Sequence, residues 1–108
     1  MSEVQAESYL VLNAVATPAA SDPVLIAGDG KTFHVTGTTT AGAGAASIVV
    51  EVSNETTWPW ITLATIALTL GVTAVADGVA MQAGWKYVRV RLVSISGTGA
   101  TVSASTGI

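Results

Sequence analysis

Trp85–Ile95 reads Trp-Lys-Tyr-Val-Arg-Val-Arg-Leu-Val-Ser-Ile, and most of its side chains alternate between apolar and polar or aromatic. Such alternation predicts a β-strand with one buried side and one solvent-facing side. The predicted buried side carries Val88, Val90 and Leu92. The predicted solvent-facing side carries two aromatic and two basic residues, which we call the aromatic–basic stripe: Trp85, Tyr87, Arg89 and Arg91.

The remainder of the chain predicts further short strands, about eight in all, separated by Gly, Asp, Asn and Ser. No segment combines a 3.6-residue period with caps at both ends, so no helix is predicted. Regularly spaced short strands with turn residues between them are typical of a sandwich or barrel. The expected fold is all-β, a single antiparallel β-sandwich of jelly-roll or immunoglobulin-like topology, because alternation does not reveal strand order.

The connections follow from glycine and turn residues. The Gly-, Ala- and Thr-rich segment 39–46 predicts a flexible connection between strands, and Gly28-Asp29-Gly30 and Asp77-Gly78 predict tight turns. Hairpin connectivity is expected near the C-terminus, since the connections there are short. We assign residues 1–20 to an N-terminal arm and first strand that helps to anchor the protein, and residues 21–108 to the sandwich.

Composition limits the classes of function. The 108 residues suffice for one domain with one core; half of them are hydrophobic and only a tenth are charged. So few charges suggest a surface largely covered by partners. The net charge of −3 disfavours nucleic-acid binding, which draws its affinity from a basic surface. No apolar run approaches the roughly 20 residues of a membrane helix, so no membrane partner is expected.

Cysteine usage and the N-terminus predict where the chain is made. The chain has no cysteine, which is typical of proteins assembled in a reducing cytoplasm. The first basic residue is Lys31, so the positive region that opens a secretory signal is not found. We therefore expect synthesis and use without export across a membrane.

No combination of residues predicts catalysis. His34 is the only histidine and falls on the outward side of its predicted strand, without a second titrating group placed beside it. The seven carboxylates are scattered, and no loop approaches the ligand density of a calcium site. We expect no enzyme activity, no catalytic or metal-binding residues and no cofactor.

The aromatic–basic stripe admits three interpretations. Trp, Tyr and Arg are the residues enriched at protein interfaces, which favours a contact surface. Glu51 on a neighbouring strand could instead pair with Arg89 or Arg91 within the molecule. The rings of Trp85 and Tyr87 would also suit stacking on a sugar. At least one of the three tryptophans is expected to fill the core.

Several segments together resemble small β-sandwich proteins encoded among the structural genes of tailed bacteriophages. They include a Val-Ser-Asn turn before a Trp-led strand, an aromatic Tyr-Val-Arg strand, and a Ser-Gly-Thr-Gly-Ala-Thr-Val hairpin. The resemblance covers roughly residues 48–105 and is carried by 50–54, 60–66, 77–78, 85–91 and 96–102.

The resemblance implies a non-enzymatic virion structural protein. Its most specific form is a capsid decoration, or cement, protein on the exterior of the phage head, bound to the major capsid protein across subunit joints. Such proteins often form trimers, so self-association as a homotrimer is implied as well. A tail or head-fibre module and a carbohydrate-binding adhesion module are the alternatives.

Overall fold

The structure, a computed structural model, describes residues 8–21, 24–25, 30–82 and 85–107. These residues form nine β-strands and no helix. In chain order the strands are β1 (Ser8–Val15), β2 (Ala19–Ala20), β3 (Val24–Leu25), β4 (Gly30–Thr38), β5 (Ala41–Ser53), β6 (Ile61–Leu70), β7 (Val75–Gln82), β8 (Tyr87–Thr98) and β9 (Thr101–Gly107).

The strands form two antiparallel sheets. Sheet A has the order β1-β9-β4-β7, and sheet B has the order β2-β8-β5-β6, with β3 also paired to β8. The strand pairs lie one inside the next along the chain, as in one long hairpin rolled into two sheets. From the innermost pair outward they are β5–β6, β4–β7, β2/β3–β8 and β1–β9. This is the jelly-roll arrangement. The predicted antiparallel β-sandwich is confirmed, and of the two expected topologies the strand order is that of a jelly roll.

The core lies between the sheets and is filled by alternate residues of facing strands. The predicted buried side of β8, Val88, Val90 and Leu92, is at most 2% exposed. Sheet A contributes Phe33 and Val35 from β4, which lies between β7 and β9. The core is therefore built from inward rows of both sheets, and the opposite rows are left to make the outer faces.

The predicted connection over residues 39–46 is wrong, because β5 already begins at Ala41. Its first residues pair with the ends of β6 and β8: Gly44 lies opposite Leu70, and Ala45 lies opposite Ser96. A Cβ atom at Gly44 would overlap the Ser96 carbonyl oxygen. The glycine thus allows β5 and β8 to approach closely. Composition alone does not distinguish such a glycine within a strand from a glycine in a loop.

Gly44→Ala is expected to lower the free energy of unfolding by about 1–3 kcal/mol, because the added methyl group displaces the β8 backbone. Gly71→Ala is the matched control, since a Cβ there meets no atom within 4 Å. We expect the control to leave stability unchanged or slightly raised. Urea denaturation of both variants measures the difference, and equal midpoints would contradict the close approach.

The predicted turn at Asp77-Gly78 is also wrong, because both residues lie within β7. There Val35 lies opposite Asp77 and His34 lies opposite Gly78. The Gly78 N–H donates a hydrogen bond to the Asp77 carboxylate at 2.7 Å. A Cβ at Gly78 would lie 2.8 Å from the Phe33 carbonyl oxygen, so the glycine serves close strand packing here rather than a turn.

The predicted C-terminal hairpin does not form, because β8 and β9 belong to different sheets. The connection at Gly99 and Ala100 crosses from sheet B to sheet A, and Gly97 and Gly99 take positive φ values of 121° and 62°. The pairing is antiparallel as expected, but β8 pairs with β5 while β9 pairs with β1 and β4.

Residues 1–7 and 26–29 lie outside the described residues, and so do the first part of the N-terminal arm and most of the turn predicted at Gly28-Asp29-Gly30. Strand β1 belongs to sheet A, where Ser8 lies opposite Gly107 of β9. The anchoring role of the N-terminal arm stays a prediction.

Candidate functional site on the outer face of sheet B

The aromatic–basic stripe divides in the structure. Tyr87, Arg89 and Arg91 occupy the outer face of β8 and are half-buried. Trp85 precedes the strand and packs against the hydrophobic core, so its predicted place on the solvent-facing side is wrong. The alternation of β8 begins only at Tyr87, and Trp85 lies before it, on the other side of a bend at Lys86.

Glu51 joins the two arginines of the stripe. It lies opposite Arg89 in the β5–β8 pairing, and its Oε1 accepts hydrogen bonds from Arg89 Nε at 2.9 Å and Arg91 Nε at 3.1 Å. Arg91 Nη2 also approaches Oε2 at 3.4 Å. The predicted intramolecular pairing of Glu51 with the arginines is therefore present.

The carboxylate is buried although it faces outward. The side chain of Glu51 is 6% exposed, against 25% for Arg89 and 40% for Arg91. Val49, on the same outward row, is buried as well. A strand buried on both faces reads as a nearly continuous apolar run, and Ile-Val-Val-Glu-Val over residues 48–52 has that character.

Trp60 stacks on one of the two arginines that hold Glu51. Its ring lies 4.4 Å from the guanidinium carbon of Arg89, a cation–π stacking distance. The turn that leads to it is fixed by Asn54, whose Oδ1 accepts a hydrogen bond from the Lys86 N–H at 3.1 Å. Strand periodicity does not reveal the role of Trp60, because it does not show where a connecting segment folds back.

The outer face of sheet B is suited to binding. Two guanidinium groups share one carboxylate, so the cluster of Glu51, Arg89 and Arg91 carries a formal charge of +1. The half-exposed arginines keep N–H donors that Glu51 does not use, and Tyr87 lies beside them. Such a surface can accept a carboxylate of a partner and stack against a ring or an apolar side chain.

A second surface follows the free edge of β6. Six large apolar side chains are exposed in the described part of the chain, and four of them, between 39% and 66% exposed, fall within residues 58–72. We call these four the β6 edge cluster: Trp58, Ile61, Leu63 and Val72. The sequence indicates a Trp-led strand over residues 60–66, but its position at a sheet edge depends on strand order, which alternation does not reveal.

His34 lies on the outer face of sheet A, as expected, and is exposed. It borders a shallow depression also lined by Leu10, Thr36, Ser103 and Ser105. Among the residues that the structure describes, no group of three or more His, Cys, Asp and Glu side chains is arranged to hold a metal ion. Over those residues there is likewise no helix long and apolar enough to span a membrane.

Comparisons with known proteins identify the fold and not a family. No protein-family model and no curated protein sequence matches the chain. A solved SPBc2 prophage-derived protein, YomS, is 12% identical with a TM-score of 0.58, and the match covers 96% of this chain and 94% of that one. A carbohydrate-binding module structure (CBM4) is 8% identical with a TM-score of 0.52, covering 83% of this chain.

This chain spans only 56% of the length of the CBM4 structure. A structure of Bacillus endospore appendages, described as disulfide-linked pili, is 20% identical over 95% of this chain with a TM-score of 0.46. At these identities the likeness is one of fold. The chain thus shares its β-sandwich fold with a prophage-derived protein.

Proposed function

We propose that this chain is a non-enzymatic structural protein of a bacteriophage virion, and specifically a capsid decoration protein that binds the major capsid protein across subunit joints. The observation that carries the proposal is the fold shared with a prophage-derived protein over nearly the full length of both chains. The resemblance of residues 48–105 to phage structural proteins points the same way.

The surface chemistry supports a role in contact. A tenth of the residues are charged, and the exposed apolar side chains concentrate at the β6 edge cluster. Apolar surface buried across a joint contributes roughly 25 cal/mol per Å² before the cost of association. Many identical copies on one shell can then add individually weak contacts into a large stabilisation.

In this proposal the protein is made in the host cytoplasm and joins the outside of the head, and it self-associates there, the trimer being the state that the resemblance implies. A tail or head-fibre module would use the same kind of surface elsewhere in the virion. Co-sedimentation with purified shells that lack decoration tests the proposal. Saturable binding and added density at subunit joints in cryo-electron micrographs are expected, whereas unoccupied shells would refute it.

Tyr87→Ala is expected to weaken shell binding about tenfold or more, because Tyr87 is the aromatic member of the stripe that faces outward. Thr32→Ala is the control, on an exposed position of sheet A. Reversing the charges of Arg89 and Arg91 would be a poor test, since it would place three carboxylates together around Glu51. Equal affinity of Tyr87→Ala and wild type, with both folded, would remove the stripe from the interface.

A carbohydrate-binding module is the second candidate, favoured by the fold shared with the CBM4 structure and by the Tyr87 and Trp60 rings beside two arginines. Reproducible binding on a glycan array, lost in Tyr87→Ala, would favour it over the decoration protein. Trp85→Ala is unsuitable as a probe of sugar stacking, because Trp85 packs against the core.

A further inference from the structure

The outer strand of sheet B is open. Strand β6 runs from Ile61 to Leu70 and, within the described residues, pairs with β5 alone. Ala64–Leu70 pairs with β5 without interruption, and the only register shift in this pairing lies next to Thr62. The strand contains no charged residue and no proline. A long, uncharged edge with a regular register over most of its length leaves a row of backbone N–H and C=O groups ready to pair with another strand.

The other edges carry features that prevent such pairing. Strand β1 has two register shifts and a positive φ of 51° at Ala14. Strand β7 carries Asp77 opposite the core residue Val35, which places a charge on the inward row of an edge strand. The remaining edge is made of β2 and β3, each two residues long. Bulges, inward charges and very short strands are the usual protections of sheet edges.

Exposed apolar side chains lie at both ends of the open edge. Trp58, Ile61 and Leu63 lie at its start and Val72 follows its end. A strand that pairs with β6 along its ten residues, about 33 Å, would pass beside this cluster and bury part of it. The edge therefore offers backbone hydrogen bonds and apolar contact along one line.

The edge is self-complementary, which favours a second copy of this chain as the occupant. Antiparallel pairing of two β6 strands brings the apolar start of each, at Ile61 and Leu63, towards the apolar end of the other, at Val72. The protein has a net charge of −3, so two copies repel each other at most approaches. Pairing β6 with β6 places no charged residue opposite another within the strands, because neither strand carries one. A strongly basic partner would find no carboxylate on β6 to bind.

We propose that two copies of the protein associate through antiparallel pairing of their β6 strands, so that sheet B continues from one copy into the other. A two-fold axis perpendicular to the sheet relates the copies. In the described part of the chain each copy has one such open edge, so the contact closes on itself and does not propagate. The proposal therefore predicts a dimer, or an even-numbered assembly, in place of the trimer that the resemblance implies.

Cysteine cross-linking tests the geometry, and the natural absence of cysteine makes every introduced thiol unique. Single cysteines replace the exposed residues of the outward row: Thr62, Thr65, Ala67 and Thr69. The two-fold axis brings only the centre of β6 next to its own symmetry copy, so disulfide formation under mild oxidation should peak at Thr65→Cys or Ala67→Cys and fall towards both ends. The control is Thr32→Cys on sheet A.

A cross-linking profile without a maximum, or one in which Thr32→Cys forms as much disulfide as the β6 variants, would overturn the proposal.

Light scattering provides an independent test. The wild type should be dimeric, and Ala67→Lys should weaken the dimer about tenfold or more by placing two lysines near the axis, while Thr32→Lys should not. A monomeric wild type or an unaffected Ala67→Lys dimer would also overturn it. Shell binding does not enter either measurement, so this result is separate from the test of the proposed function.

Discussion

Phe33→Ala is expected to lower the free energy of unfolding by about 3–5 kcal/mol, the usual cost of removing a buried phenylalanine ring. Phe33 is the only phenylalanine of the chain, is 2% exposed, and lies on an inner strand of sheet A. Its removal combines the loss of buried apolar area with a cavity that a close-packed sandwich cannot readily fill. Because small domains are stable by only 5–15 kcal/mol, this variant should be close to unfolding.

Urea denaturation followed by tryptophan fluorescence measures this loss. The slope of the transition should stay near that of the wild type while the midpoint falls. Leu10→Ala serves as the control, since Leu10 is 63% exposed and its truncation should change stability by less than about 0.5 kcal/mol. Similar midpoints for the two variants would show that Phe33 does not fill the core as described.

Glu51→Ala is expected to lower the free energy of unfolding by about 2 kcal/mol. Removing one partner of a fully buried ion pair typically costs 3–5 kcal/mol, but water screens the partly exposed guanidinium groups of Arg89 and Arg91 and lowers that figure. The loss arises mainly because two positive charges, one of them against the Trp60 ring, remain beside each other without the carboxylate that held them.

The matched control is Glu55→Ala, a change of the same residue type at an exposed position four residues later. It should alter stability by less than about 0.5 kcal/mol. Combining Glu51→Ala with Arg89→Ala should cost less than the sum of the single changes, because the second change removes a charge that the first left unpaired. Equal effects of Glu51→Ala and Glu55→Ala would contradict the ion-pair description.

Strand alternation predicted the parts of this fold that depend on one strand at a time. Val88, Val90 and Leu92 are buried as expected, because β8 is a regular inner strand with the core on one side. The same rule failed for Trp85, which lies before the strand begins. A different rule, which assigns glycine-rich segments to connections, failed at Gly44 and Gly78, where glycine fits a close approach between strands.

The candidate site was only partly predictable. Pairing of Glu51 with Arg89 follows from opposite charges on adjacent strands, and the sequence analysis included it. The stacking of Trp60 on Arg89 depends on a turn that brings Trp60 over the sheet, which no periodic pattern encodes. The open edge of β6 depends on strand order, and strand order depends on the packing of the whole sandwich.

The pairing of Ser8 with Gly107 in sheet A has a practical consequence. The polypeptide enters and leaves the described fold side by side, on adjacent strands. A short linker could therefore join the two ends, and new ends could be opened at an exposed turn to give a circular permutant with the same sheets. Ser8 and Gly107 are far apart along the chain but close in space. A passenger peptide fused before the first or after the second would therefore leave the sandwich at the same end of sheet A.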